Sequence, residues 1–233
     1  MHPLILEAGL VAGLLSVDLP AAAAPACPPL QAAVVEAYFS ADCGDCWSAP
    51  PGPAAAANSW RFDWISPGGD GAPLAAGALP EAAERALRMG LAPATSPAPA
   101  GRHAAGKPLP GLRLRVESGP AWQGYFGLQL TVSAARNTTL PTGASAWLAL
   151  VERVPAGSDG TPIARALVRS VAGPLPLDAL QPGKAMIPLT RLTHLRALRW
   201  PASAEPTRLQ ARAWIEAPDG RLLAVAADSC PVR

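Results

Sequence analysis

The sequence predicts an α+β protein, a small mixed α/β unit followed by an antiparallel β-sandwich. Three observations carry that expectation. An apolar run, a Cys-x-x-Cys turn and the chain's clearest helix signal lie close together before residue 91. A Pro/Ala/Gly/Ser-rich stretch then breaks all hydrophobic periodicity. Beyond it, apolar residues recur with period two in short segments separated by turn signals.

Taken in order, residues 1–26 read as a secretory signal peptide, with an apolar core from Leu4 to Val17 and an Ala-rich tail offering small-residue cleavage sites before Cys27. The run is shorter than the roughly 20 apolar residues a membrane helix needs, and no later segment reaches that length, so no membrane span is expected. "APAC" lacks the large aliphatic residue of a lipoprotein signal. A secreted or periplasmic bacterial protein follows, in a compartment where an even number of cysteines ordinarily means disulfides. There are four, Cys27, Cys43, Cys46 and Cys230. Pairing of Cys27 with Cys230 would close a loop of about 200 residues, for which the chain-entropy model gives several kcal/mol.

The first unit spans 30–91. "QAAVVEAYFS" reads as a buried strand, and "WRFDWIS" as a second with Trp60, Phe62 and Trp64 on one face. Pro50, Pro51 and Pro53 break or kink any helix begun at the cysteines. "LPEAAERALRMG" is a helix with Pro80 in its first position, Glu81 and Glu84 near its start and Gly90 as its stop. Residues 92–110 read as a linker. The second unit, 111–228, offers seven strand candidates, "LRLRVES", "YFGLQLTVS", "SAWLALVERV", "ARALVRSV", "KAMIPLT", "RLQARAWIEA" and "RLLAVAAD". In the sixth, Leu209, Ala211, Ala213 and Ile215 share one face and Gln210, Arg212, Trp214 and Glu216 the other, the pattern of a half-solvated strand in a β-sandwich.

Net charge is +2 and the basic residues, nearly all Arg, are dispersed, which argues against nucleic acid as a partner and places those side chains on solvated edges and surface. No cofactor motif appears. A zinc site wants four Cys or His ligands, and the chain offers His103 in the linker and His194 in the β region with no second C-x-x-C and no H-x-x-H, so no metal is expected. Most of the seven tryptophans read as core.

The chemistry lies in "SADCGDCW", residues 40–47. If Cys43 begins a helix, unsatisfied amides favour its thiolate and Cys46, one turn on, is the resolving thiol. Asp45 between them opposes ionisation, and Trp47 would shield the sulfurs. The same residues also suit an inert local disulfide. "VVEAYFSADCGDC" resembles the strand and Cys-x-x-Cys entry of thioredoxin-like proteins, and is most similar to a group of secreted bacterial thioredoxin-like proteins in which a shortened thioredoxin unit precedes a β-rich tail. Matching positions are Val35, Glu36, Tyr38 or Phe39, Ser40, Cys43 and Cys46; "FDW" at 62–64 and "LVRSVAG" at 167–173 also look like that group. The resemblance implies a remodelled thioredoxin-like unit and thiol–disulfide exchange with a protein partner through Cys43 and Cys46, with Glu36 near the site. Its sulfur-facing cis-proline has one positional candidate, Pro93, which linker follows. The alternative is a non-catalytic secreted binding or structural module stapled by Cys43–Cys46.

Overall fold

The computed structural model describes residues 33–49, 59–92, 100–104, 108–181 and 190–228. The expected signal segment, Cys27, Cys230, Pro50, Pro51, Pro53, Pro93 and the "KAMIPLT" strand apart from Thr190 lie outside them. Strands β1 (Ala33–Ser40) and β2 (Ser59–Ser66) flank the short helix α1 (Gly44–Ser48), and helix α2 (Pro80–Arg88) follows. Then come β3 (Ala100–Ala104), β4 (Leu112–Trp122), β5 (Tyr125–Ala134), β6 (Ser145–Val154), β7 (Arg165–Pro176), β8 (Arg191–Arg199), β9 (Leu209–Glu216) and β10 (Leu222–Ala227). The fold is α+β and mostly β.

One mixed sheet has the order β10-β9-β6-β7-β2-β1-β3, and a smaller antiparallel sheet the order β4-β5-β8. β1 and β2 run parallel in register from Ala33↔Ser59 to Ser40↔Ser66, while β3 pairs antiparallel along the other side of β1. A parallel contact at Asp63↔Leu167 joins β2 to β7. Alternation along each strand then sets the layers. Leu148 and Leu150 of β6, with Ala211, Ala213 and Ile215 of β9, meet Leu114, Val116, Leu128, Leu130 and Val132 of the small sheet in one core. On the opposite face Trp147, Ala149, Val151 and Trp214 join Tyr38, Trp60, Phe62 and Trp64 under Ala82 and Ala86 of α2.

Helix α2 forms as its sequence dictates. Pro80 occupies the first turn, where its missing N–H costs nothing, and Gly90 takes the left-handed φ of 68° just past the last turn. Helix α1 is only five residues long. It ends where Ala49 precedes Pro50, since the ring of a proline pushes the residue before it into extended backbone, here φ −64° and ψ 143°.

Several expectations are corrected. The two expected units share one sheet through β2 and β7, and of the β-rich region only β4, β5 and β8 form the second layer. The expected linker contains β3. β1 is buried from Val34 to Ser40, so its backbone needs a neighbour on each side, and an edge strand held by main-chain bonds needs no apolar pattern of its own. β8 is a strand the periodicity missed because most of its residues are exposed. The polar face of β9 is not solvated: Gln210, Arg212, Trp214 and Glu216 are all buried. Nor are the arginines all superficial, since Arg85, Arg165, Arg169 and Arg212 are buried with polar partners.

Candidate functional site

The end of β1 turns tightly into α1. Ser40 Oγ donates to Asp42 Oδ2 (3.1 Å) and accepts from the Asp42 amide (3.2 Å), and the Cys43 amide donates to the Ser40 carbonyl (3.0 Å). Cys43 is the N-cap residue of α1, and Cys43 and Cys46 form a disulfide with a Cα–Cα distance of 5.3 Å. The two sulfurs' residues are unequally covered: Cys43 retains 8% of its surface and Cys46 1%. Around them pack Ala37, Phe39, Trp47, Ile65, Val154 and Leu167, with Ala72 and Leu74 from the loop that follows β2. That loop is latched to the turn. The Gly69 amide donates to Asp42 Oδ1 (2.9 Å), the Leu74 amide to the Ala41 carbonyl (3.0 Å), and a Cβ on Gly68 would stand 2.5 Å from the Asp42 carboxylate.

Two clamps from the 155–165 segment hold α1. Trp47 Nε1 donates to the Asp159 carbonyl (2.7 Å), with the Trp47 ring edge-on to Phe39. Arg165, at the start of β7, reaches the carbonyls that a helix C-terminus leaves without partners. One of its terminal nitrogens donates to the carbonyls of Trp47 (2.6 Å), Ala49 (2.9 Å) and, more weakly, Cys46 (3.4 Å), and Nε donates to Thr161 Oγ1 (3.2 Å). The guanidinium lies over the rings of Trp47 (5.0 Å) and Phe39 (5.3 Å). Its counter-charge is Asp63 of β2, 3.6 Å away and fully buried, which also receives Arg61 Nε (2.7 Å) and the Ala166 amide (2.8 Å). Burial lowers the Arg165 pKa, Asp63 opposes that, and Arg61 adds to it. One carboxylate shared between two guanidinium groups leaves this cluster net positive beside the disulfide-bearing turn.

The expected site residues separate. Cys43, Cys46 and Trp47 come together, and Asp45 is exposed on α1. Glu36 does not join them. It faces α2, where Arg85 donates to both of its oxygens (2.6 and 3.1 Å) and to both oxygens of Glu216 (3.2 and 3.0 Å). Burial works to lower the Arg85 pKa, but the charges and hydrogen bonds of the two carboxylates outweigh it and the net shift is upward. On the same face Arg212 lies over Trp60 and Phe62, and burial with the Arg153 charge pushes its pKa down to about 9, so it stays protonated at neutral pH.

Pro93, Cys27 and Cys230 lie outside the described residues. Within them the cis X-Pro bond is Gly173-Pro174, with Gly173 against the Trp147 ring rather than the disulfide. Among the described residues no three Cys, His, Asp or Glu side chains cluster as metal ligands, and no helix is long and apolar enough to cross a membrane. The sequence places Asp63 within "WRFDWIS" and its "FDW", and Arg165 within the strand candidate "ARALVRSV", but marks neither as a site residue. Their signal was an acid and a base each set in an apolar strand, where burial requires a partner.

No family model and no curated protein matches the sequence. Among solved structures the chain is similar to HBP35 of Porphyromonas gingivalis, at 9% identity over 85% of this chain and 75% of that one, with a TM-score of 0.46. A likeness at that score is too slight to carry an argument about fold or function.

Proposed function

We propose that this is a secreted protein with a thioredoxin-like unit that exchanges disulfides with a protein partner, Cys43 forming the mixed disulfide and Cys46 resolving it. The observation that carries the reading is the Cys43–Cys46 disulfide at a strand-to-helix turn, with the N-cap Cys43 the more accessible of the two. A thiolate is stabilised at a helix start, and attack follows access. The strand order β2-β1-β3, parallel then antiparallel, with the cysteines in the β1-to-β2 crossover, supports the thioredoxin-like part of the reading and would extend the unit to residue 104. Secretion rests on the apolar 4–17 segment and on a disulfide that persists most readily outside the cytosol.

The test is trapping. Cys46→Ser protein incubated with a disulfide-bonded peptide should accumulate a stable adduct on Cys43, and Cys43→Ser protein should accumulate far less on Cys46. Equal labelling of the two variants, or none in either, refutes the assignment. The second reading is an inert staple in a binding or structural module. It is favoured by the burial of both cysteines in an apolar cluster, and it predicts no adduct on Cys43.

A further inference from the structure

The proposed exchange requires one sulfur to leave as an anion from a place that water barely reaches. In the reductive half-cycle, one thiolate of a partner dithiol attacks Cys43 Sγ, a new S–S bond forms, and the Cys43–Cys46 bond breaks with its electron pair remaining on Cys46 Sγ. The partner's second thiol, deprotonated, then attacks its own sulfur in the mixed disulfide and releases Cys43. The partner is oxidised by two electrons, the pair on this chain is reduced by two, one thiol proton passes to Cys43, and the other is released to solvent with Cys46 held as the thiolate. Cys46 is 1% exposed, so burial raises the free energy of its thiolate at the moment it forms.

We propose that Arg165 is the positioning residue for this step, holding the turn that carries Cys46 and supplying the positive charge that stabilises the departing Cys46 thiolate. This rests on the exchange reading above. The geometry is specific: one side chain touches the carbonyls of Cys46, Trp47 and Ala49, is fixed by Thr161, and is sandwiched against Trp47 and Phe39. Carbonyl capping alone would not demand a buried cation. Asp63 offsets only part of the positive charge, because its one carboxylate is shared between Arg61 at 2.7 Å and Arg165 at 3.6 Å. Arg165 reaches the Cys46 carbonyl at 3.4 Å; an opposite charge within about 4–6 Å of an acid typically lowers its pKa by one unit or more, and a leaving thiol of lower pKa departs faster.

Three readings on the full chain test the proposal. In a fixed glutathione buffer, Arg165→Gln should lower the ratio of reduced to oxidised pair about tenfold, equivalent to about 30 mV for a two-electron couple. Arg165→Lys, which keeps the charge but not the fork, should hold that ratio close to the parent's. In the Cys43→Ser chain, with Arg165 intact, the Cys46 thiol followed by ultraviolet absorbance should titrate below the ordinary value of about 8.5. An unchanged ratio in Arg165→Gln, an equal fall in both Arg165 variants, or a Cys46 thiol titrating at or above the ordinary value overturns the proposal. The last of these readings needs no Arg165 variant to fold. The parent separates the two levels: if its pair resists reduction throughout, the exchange reading fails and this inference with it, whereas a parent that reduces normally beside an indifferent Arg165→Gln defeats this inference alone.

Discussion

Replacing Arg85 with Met should be among the most damaging single changes in the protein. Arg85 and Glu36 each retain 1% of side-chain exposure and Glu216 6%, and the guanidinium forms four hydrogen bonds of 2.6 to 3.2 Å to the two carboxylates. It also lies over the rings of Trp147 (4.7 Å), Trp214 (4.9 Å) and Trp64 (5.7 Å). Methionine fills much of the volume but removes the guanidinium that the two buried carboxylates share. Breaking a buried ion pair by removing one partner costs about 3–5 kcal/mol, and the lost cation–π contacts add up to about 2 kcal/mol. Against a total stability of about 5–15 kcal/mol, that is a large fraction. Urea unfolding followed by tryptophan fluorescence reads the loss as a lower midpoint at unchanged slope. The triple variant Arg85→Met, Glu36→Gln, Glu216→Gln should recover more than half of it, because the loss of charge compensation and not the missing contacts dominates. A loss below about 1 kcal/mol in the single variant, or no recovery in the triple one, would show that this cluster is not the electrostatic lock between α2 and the sheet.

Three further outcomes follow from other parts of the molecule. Gly173→Ala should lower the melting temperature by several degrees, because the added Cβ runs into the Trp147 ring, which is buried and stacked on Trp214, and overpacking of this kind costs about 1–3 kcal/mol. Burial, and then the charge of Arg196, push the His194 pKa below its ordinary value against an opposing bond to the Pro176 backbone. The folded state thus prefers the neutral ring, so part of the stability present above about pH 6.5 is lost as pH falls; His194→Gln should flatten that acid limb, and parallel stability curves for the two proteins would contradict the sign. Trp122→Ser, at a hairpin tip where the ring is 70% exposed, should change unfolding free energy by no more than about 0.5 kcal/mol.

Much of the local structure was legible because local rules decide it. Pro80 and Gly90 bracket α2, the Trp60, Phe62 and Trp64 stripe gives β2 its face, and the alternation in β9 puts Ala211, Ala213 and Ile215 into the core between the sheets. The junction of β2 with β7 was not legible. It joins Asp63 to Leu167, about a hundred residues apart, and nothing in either strand names its neighbour. The arginines misled for a related reason. A charge in a sequence reads as solvent-facing by default, and only the fold shows that Glu36 and Glu216 arrive on one side of Arg85, or that the carbonyls ending α1 arrive at Arg165. The cysteine turn was readable, whereas its support, assembled from β2, β7 and the loop before β7, was not.

The most direct test of the central claim is the reduction potential of the Cys43–Cys46 pair in the parent chain, measured by equilibration with glutathione buffers and by counting alkylated thiols by mass. An exchange couple should lie near or above about −270 mV. A pair that stays oxidised throughout, placing its potential well below about −300 mV, would contradict the account and make the disulfide a structural staple.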